Sequence, residues 1–414
     1  MNETMKLFLM ILRSALKDQR PELDRDIPTE QWQALFRLAD IHKLLPLFYE
    51  AVQALPSLDR EQALLADMKQ KVRCQVIAQT LRTGEFLTLN DRLQEAGVRP
   101  LVVKGVVCRN LYPKPDHRLS SDEDLLVPAG EFERCHRVLT EFGMATTEPA
   151  QNLESAFELP YRKEGSPLYI ELHKQLFAPG SEAYGHMNRF FERVHERAVT
   201  MDIQDHRVYT MDPTDHLFYL LCHALKHFLH SGFGIRQVCD ISLFANAYGD
   251  RVDWLEILEN CKAIRAEKFA AAVFRIGSNH LVFDPEKAAY PSVWAEIEVD
   301  ELPMLTDLLS GGLYGDSSMS RKHSSSITLD AVAAQKTGGK TKNAWISSVF
   351  PSAAKLEGRY SYLKKHPHLL PVAWFNRLWN YGKEIRRIKD DSAADALKIG
   401  NKRLDLLKTY GVLD

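Results

Sequence analysis

Residues 101–128, LVVKGVVCRNLYPKPDHRLSSDEDLLVP, decide how the rest of the chain is read. Pro100-Leu101-Val102-Val103 is a short apolar run with two β-branched residues, the pattern of a buried strand. Lys104-Gly105 closes it, and Val106 to Leu111 reads as a helical segment stopped by Pro113 and Pro115. A polar loop, Asp116 to Ser121, leads to Glu123-Asp124-Leu125-Leu126-Val127, a second strand that ends at Pro128. Side chains alternate along a strand, so Asp122 and Asp124 point one way and Glu123 the other. Two carboxylates on one face repel unless a cation joins them. Hard oxygen ligands favour Mg²⁺, or Mn²⁺, over softer metals. Such a pair is what metal-assisted phosphoryl or nucleotidyl transfer needs. The bland alternative is a solvated strand entry.

Working outward, Glu131 to Phe142 is an amphipathic helix, and strands are expected at about 157–161 and 168–172. Pro160 makes the first of these an edge strand. Strand, helix, strand, helix and further strands make a small α/β unit over about 98–210. Residues 1–97 read as helices, the longest from about Arg60 to Ala96 and ending at Gly97. Asp212-Pro213-Thr214-Asp215 is a helix start, with Asp212 as cap and Pro213 in the first turn. Helices then continue to about Leu309. The Gly- and Ser-rich stretch 311–343 reads as a mobile loop, and 344–414 as a helical tail mixing aromatic and basic residues. The fold class is therefore α+β: a small mixed β-sheet core flanked by N-terminal and C-terminal helical regions.

Bulk properties narrow the function. The formal net charge of -2 gives no global reason to bind nucleic acid or an anionic membrane. Six cysteines without a CxxC pair exclude a zinc ribbon and fit a reducing compartment, so the expected location is cytoplasmic. No apolar run reaches the roughly 18 residues of a membrane span.

Further candidates surround the aspartates. A glycine at 105 lets a phosphate approach the backbone at a helix start, and Lys104 adds a point charge. Arg118 is a candidate phosphate contact through its bidentate fork. In Tyr169-Ile170-Glu171-Leu172-His173, Glu171 and His173 share a strand face, where a carboxylate completes a metal site or takes a proton. His223, His227 and His230 share a helical face without the glutamate of a zinc protease motif; helix packing is preferred, with substrate contact as a subsidiary idea. Arg236 and Asp240 read as an i,i+4 helix pair. Gly338-Gly339-Lys340-Thr341 lacks the preceding strand of a phosphate loop, and the basic-aromatic tail reads as packing rather than nucleic-acid binding.

The order of these motifs (LVVKG, Tyr112-Pro113, Arg118, Asp122 to Val127, Glu171 to His173) resembles the uncharacterised nucleotidyltransferase family of bacteria, a divergent branch of the polymerase-β-like superfamily. The resemblance is most specific over about 98–175. It implies that Asp122 and Asp124 bind the catalytic metal, that Glu171 is the third carboxylate, and that Lys104, Gly105, Arg118, Ser121 and His173 line a nucleotide site. It implies an NTP as donor and leaves the acceptor open. Val106 stands where the superfamily has Ser after the Gly, so Ser120 or Ser121 is expected to supply that hydroxyl. The alternative is a non-catalytic nucleotide-binding or protein-interaction module on the same fold.

Overall fold

The computed structural model describes all residues other than 59, 148–152, 154–155, 312–318, 337–365, 375 and 377–392. The N-terminal layer is α1 (Glu3–Leu16), α2 (Thr29–Ile41), α3 (Leu45–Val52) and the long α4 (Gln62–Glu95). Asn2 caps α1 by accepting from the Met5 amide at 2.9 Å, and Phe8, Ile11, Leu12 and Ala15 form its buried stripe. Only the second half of α4 buries a face on the sheet core, through Phe86, Leu89 and Leu93. Gly97, at φ +75°, turns the chain out of it.

The sheet consists of β1 (Leu101–Val103), β2 (Glu123–Leu126), β3 (Met144–Thr146), β4 (Glu158–Lys163) and β5 (Tyr169–His173). Helices α5 (Gly105–Arg109) and α6 (Phe132–Glu141) interrupt it in sequence. The spatial order is β1-β2-β5-β4-β3, with β2 and β5 parallel and every other pair antiparallel. A separate hairpin, β6 (Val199–Ile203) and β7 (His206–Thr210), turns at Gln204-Asp205. Both turn residues have positive φ, as the preferred two-residue hairpin turn requires.

The expectation that Pro160 marks an edge strand is corrected: β4 lies between β5 and β3. The Pro160 carbonyl accepts from the Thr147 amide at 3.0 Å, so the side of the residue that lacks an N–H faces β3. That strand ends at Thr146, and the missing donor therefore costs no central ladder bond.

The C-terminal part begins with α7 (Pro213–Leu229), where Asp212 accepts from the Thr214 amide at 2.9 Å, and α8 (Ile235–Tyr248). It continues through α9 (Trp254–Ala263), α10 (Glu267–His280), α11 (Ser292–Ala295) and α12 (Leu302–Gly311). The loop expected over 311–343 is corrected for α13 (Met319–Lys336), which packs on α14 (Ala393–Thr409). Its later half supplies the Ile327, Ala331 and Val332 side chains to the interior, an apolar stripe that outweighs the serine-rich start. The Gly338 to Thr341 motif and nearly all of the basic-aromatic tail lie outside the described residues. Buried apolar side chains from Phe8 to Leu413 form one continuous core, so the helical layers and the sheet share an interior. Among the described residues no helix is long and apolar enough to cross a membrane.

Candidate active site

The parallel pairing of β2 with β5 sets Asp124 directly beside Glu171, and the antiparallel pairing of β4 with β5 sets Glu158 beside His173. Alternation then puts Asp124, Glu171 and His173 on one face of the sheet. The His173 Nε2 lies 3.2 Å from Asp124 Oδ1 and 3.8 Å from Glu171 Oε2, and its Nδ1 lies 3.4 Å from Glu158. One ligand atom from each of Asp124, Glu171 and His173 can be chosen so that all lie within 4.8 Å of one another. This oxygen and nitrogen set fits a divalent cation.

The electrostatics say the same. Burial and then the charge of Asp124 push the Glu171 carboxyl up to about 7. Burial alone would raise Asp124 too, but the Lys104 ammonium and the His173 hydrogen bond hold it below the usual carboxylate range. For His173 burial is outweighed by the bond to Asp124 and by neighbouring acids, so its pKa rises. Asp122 sits at the strand entry, half-buried, 4.0 Å from the Lys104 Nζ and outside the tight cluster.

Lys104 is the cation now nearest these acids, 2.8 Å from Asp124 Oδ2 and 3.3 Å from His223 Nε2. Its backbone is strained, with φ 49° and ψ -116°, a region that non-glycine residues avoid. Buried His216 holds it there: the Lys104 amide donates to His216 Nε2 at 3.0 Å. The Thr210 hydroxyl donates to the Val102 carbonyl at 2.7 Å, so His216 Nδ1–H, 3.1 Å away, is the donor to Thr210. Burial pushes His216 down to about 3, which keeps it neutral and able to accept.

The structure adds a packing constraint at Gly105. Glu123, on the opposite sheet face and fully buried, is ion-paired with fully buried Arg109 and accepts from the Val106 amide at 2.8 Å. A Cβ on Gly105 would lie 2.0 Å from the Glu123 Oε2. The start of α5 is thus capped internally, with the Lys104 and Val106 amides both engaged. Val106 needs no hydroxyl there.

Arg118 does line the cleft, but its fork is occupied: Nε and Nη2 meet the Asp240 carboxylate at 3.0 and 2.6 Å. Tyr112 adds a third bond to Asp240 at 2.7 Å. The expected Arg236–Asp240 helix pair is corrected accordingly; the Arg236 guanidinium donates to the Leu119 carbonyl instead. Ser121 is exposed and does not line the cleft, whereas Ser120 does, with its hydroxyl turned to Arg109 and Glu123. The cleft measures about 1050 Å³ including open solvent. Its floor carries Asp122, Asp124, Glu158, Glu171 and His173, and its far wall is α7 and α8, with His223, Lys226, His227, Arg236 and Gln237.

A family model described as "uncharacterised nucleotidyltransferase" matches residues 28–280. The chain belongs to that family. No curated protein and no solved structure matches significantly. The matched span runs from the start of the second helix into α10, so it includes both walls of the cleft. For this nucleotidyltransferase family member, sequence reasoning missed Glu158, His216 and the Glu123–Arg109 pair. The alternation that separates Glu123 from the two aspartates was the available signal for the last.

Proposed function

We propose that the protein moves an NMP from an NTP to an acceptor hydroxyl or phosphate, in the divalent-metal-dependent manner of polymerase-β-like enzymes. The observation that carries this reading is the Asp124-Glu171-His173 cluster, with Asp122 at its edge, on the floor of a cleft in a nucleotidyltransferase family member. Asp122, Asp124 and Glu171 would hold Mg²⁺ or Mn²⁺, which when bound neutralises charge on the donor's phosphate oxygens. His173 orients Asp124 by its hydrogen bond. Glu171 makes no side-chain hydrogen bond among the described residues, which leaves its carboxylate to bind the ion or to take the acceptor's proton. The acceptor oxygen bonds to the α-phosphorus, the bond to the β-phosphate bridging oxygen breaks, and pyrophosphate leaves. Lys104 and His173 line the nucleotide site, Gly105 leaves room for the Glu123 cap, and Arg118 positions the loop before the aspartates. Five buried, unpaired cysteines fit the reducing bacterial cytoplasm in which NTPs are made.

The test is pyrophosphate release from γ-labelled NTPs with Mg²⁺ and pooled small-molecule acceptors. Release by wild type that is lost in the Asp122→Asn/Asp124→Asn variant is expected; equal release by both overturns the reading. A second reading, nucleotide binding without turnover, is favoured by Val106 and by the engaged amides of α5. It predicts a Mg²⁺-dependent NTP complex with no pyrophosphate.

A further inference from the structure

We propose that the α7–α8 wall of the cleft, through Lys226 and Arg236, holds the β- and γ-phosphates of the donor in place of the turn after Gly105. The inference rests on the metal-nucleotide reading of the cleft. Its first support is that the usual place for phosphate already holds a carboxylate. Helix α5 has five residues, and the Glu123 carboxylate already takes the Val106 amide while His216 takes that of Lys104. A second anion there would face the Glu123 carboxylate, with two of the turn's amides already taken.

The second support is the sorting of charge. The floor offers Asp122, Asp124, Glu158 and Glu171, and Asp240 is neutralised by Arg118. The opposite wall offers Lys226 and Arg236, and among the described residues neither forms an ion pair. The Arg236 side chain is nine-tenths buried, and its Nε has no hydrogen-bond partner. Among the described residues the Lys226 ammonium meets the Tyr184 ring, 5.9 Å from Nζ to centroid, and no carboxylate. A cleft acidic on one side and basic on the other matches a ligand that is itself dipolar: a divalent cation bound to a polyphosphate.

The histidines extend this wall without adding charge. Burial, followed by neighbouring cations, holds His223 well below its ordinary value and His227 down at about 3. Both rings are already engaged: His223 meets Lys104 and His227 through Nε2 and Gln237 through Nδ1, at 3.3, 3.2 and 3.3 Å. They line the wall as neutral polar rings and leave its charge to Lys226 and Arg236. Lys104 bridges the two sides, touching Asp124 and His223 at once. A cation at Asp124 would displace its ammonium from the acids and leave it against His223, adding a charge to the same wall.

The experiment is calorimetric binding of Mg²⁺-NTP, Mg²⁺-NMP and Mg²⁺-pyrophosphate to wild type, Lys226→Met and Lys226→Arg. Lys226 is half-buried, and Met keeps an apolar side chain of similar length; Lys226→Gln serves if the Met variant does not fold. Loss of one charge-assisted contact predicts about tenfold or more weaker NTP and pyrophosphate binding, near-unchanged NMP binding, and recovery in Lys226→Arg. Unchanged NTP and pyrophosphate binding in Lys226→Met overturns the proposal while leaving the nucleotide site standing. Pyrophosphate that binds through Lys226 without competing with NTP assigns the wall to an acceptor phosphate, which also overturns it. Wild type that binds none of the three ligands removes the underlying reading instead.

Discussion

Changing Glu171 to Gln is expected to stabilise the metal-free protein at pH 8 and leave it unaltered at pH 4. The Glu171 carboxyl has an ordinary value of 4.5 and is pushed to about 7 by burial and by Asp124. Each tenfold in proton affinity corresponds to about 1.4 kcal/mol, so the ceiling on the effect is about 3 kcal/mol. Side-chain relaxation and water entry at a group that is 25% exposed bring it below that ceiling. Below pH 4.5 the group is protonated in the folded and unfolded chain alike, and it contributes nothing. Between 4.5 and about 7 the unfolded chain gives up the proton while the folded one keeps it, so wild-type stability falls through this window and then levels. Glutamine does not titrate, and the difference between the two proteins should open over the same window. Urea unfolding at pH 4, 6 and 8 in EDTA measures it. With Mg²⁺ the order at pH 8 should reverse, because the ion stabilises only the chain that keeps the carboxylate. An equal loss of stability at every pH would refute the reasoning and make Glu171 a structural group.

Three other outcomes follow from the site. Asp240→Asn leaves Arg118 buried against a neutral amide and should cost about 3–5 kcal/mol in urea unfolding, while an exposed control, Glu256→Gln, should cost under about 1 kcal/mol. Gly105→Ala forces a Cβ to within 2.0 Å of Glu123 at φ +34°, so a thermal scan should show marked destabilisation, and an unaltered midpoint would mean the Glu123 cap is not formed. Lys104→Met removes the ammonium 2.8 Å from Asp124; Mg²⁺ titrated without nucleotide should bind more tightly, and equal affinity would show that lysine and metal do not compete.

The strand-turn-strand segment was legible because its cues are local. A β-branched run, a Leu-Leu-Val run, a Lys-Gly break and the alternation of Asp122, Glu123 and Asp124 place the acids with no knowledge of the rest of the chain. The beside-strand pairing of Asp124 with Glu171 was reached through the motif order, since periodicity gives faces and not neighbours. What failed depends on partners far along the chain. Arg118 was read as a free fork because Asp240, 122 residues on, does not announce which arginine it takes. At Gly105 the close approach of the Glu123 carboxylate, arriving from the other sheet face, was out of view. Pro160 was read by a rule for full-length neighbours, and β3 is too short to enforce it. Met319–Lys336 was read as a loop from its serines, while burial of its apolar stripe makes it a helix.

The most direct test of the account is the thermal midpoint of wild type and Asp122→Asn/Asp124→Asn with each NTP, with and without Mg²⁺. Ligand that binds only the native chain must raise the midpoint. A rise with NTP that needs Mg²⁺ and disappears in the variant is the predicted result. A rise that survives in the variant, or none with any NTP in wild type, would contradict the claim that these carboxylates form a metal-nucleotide site.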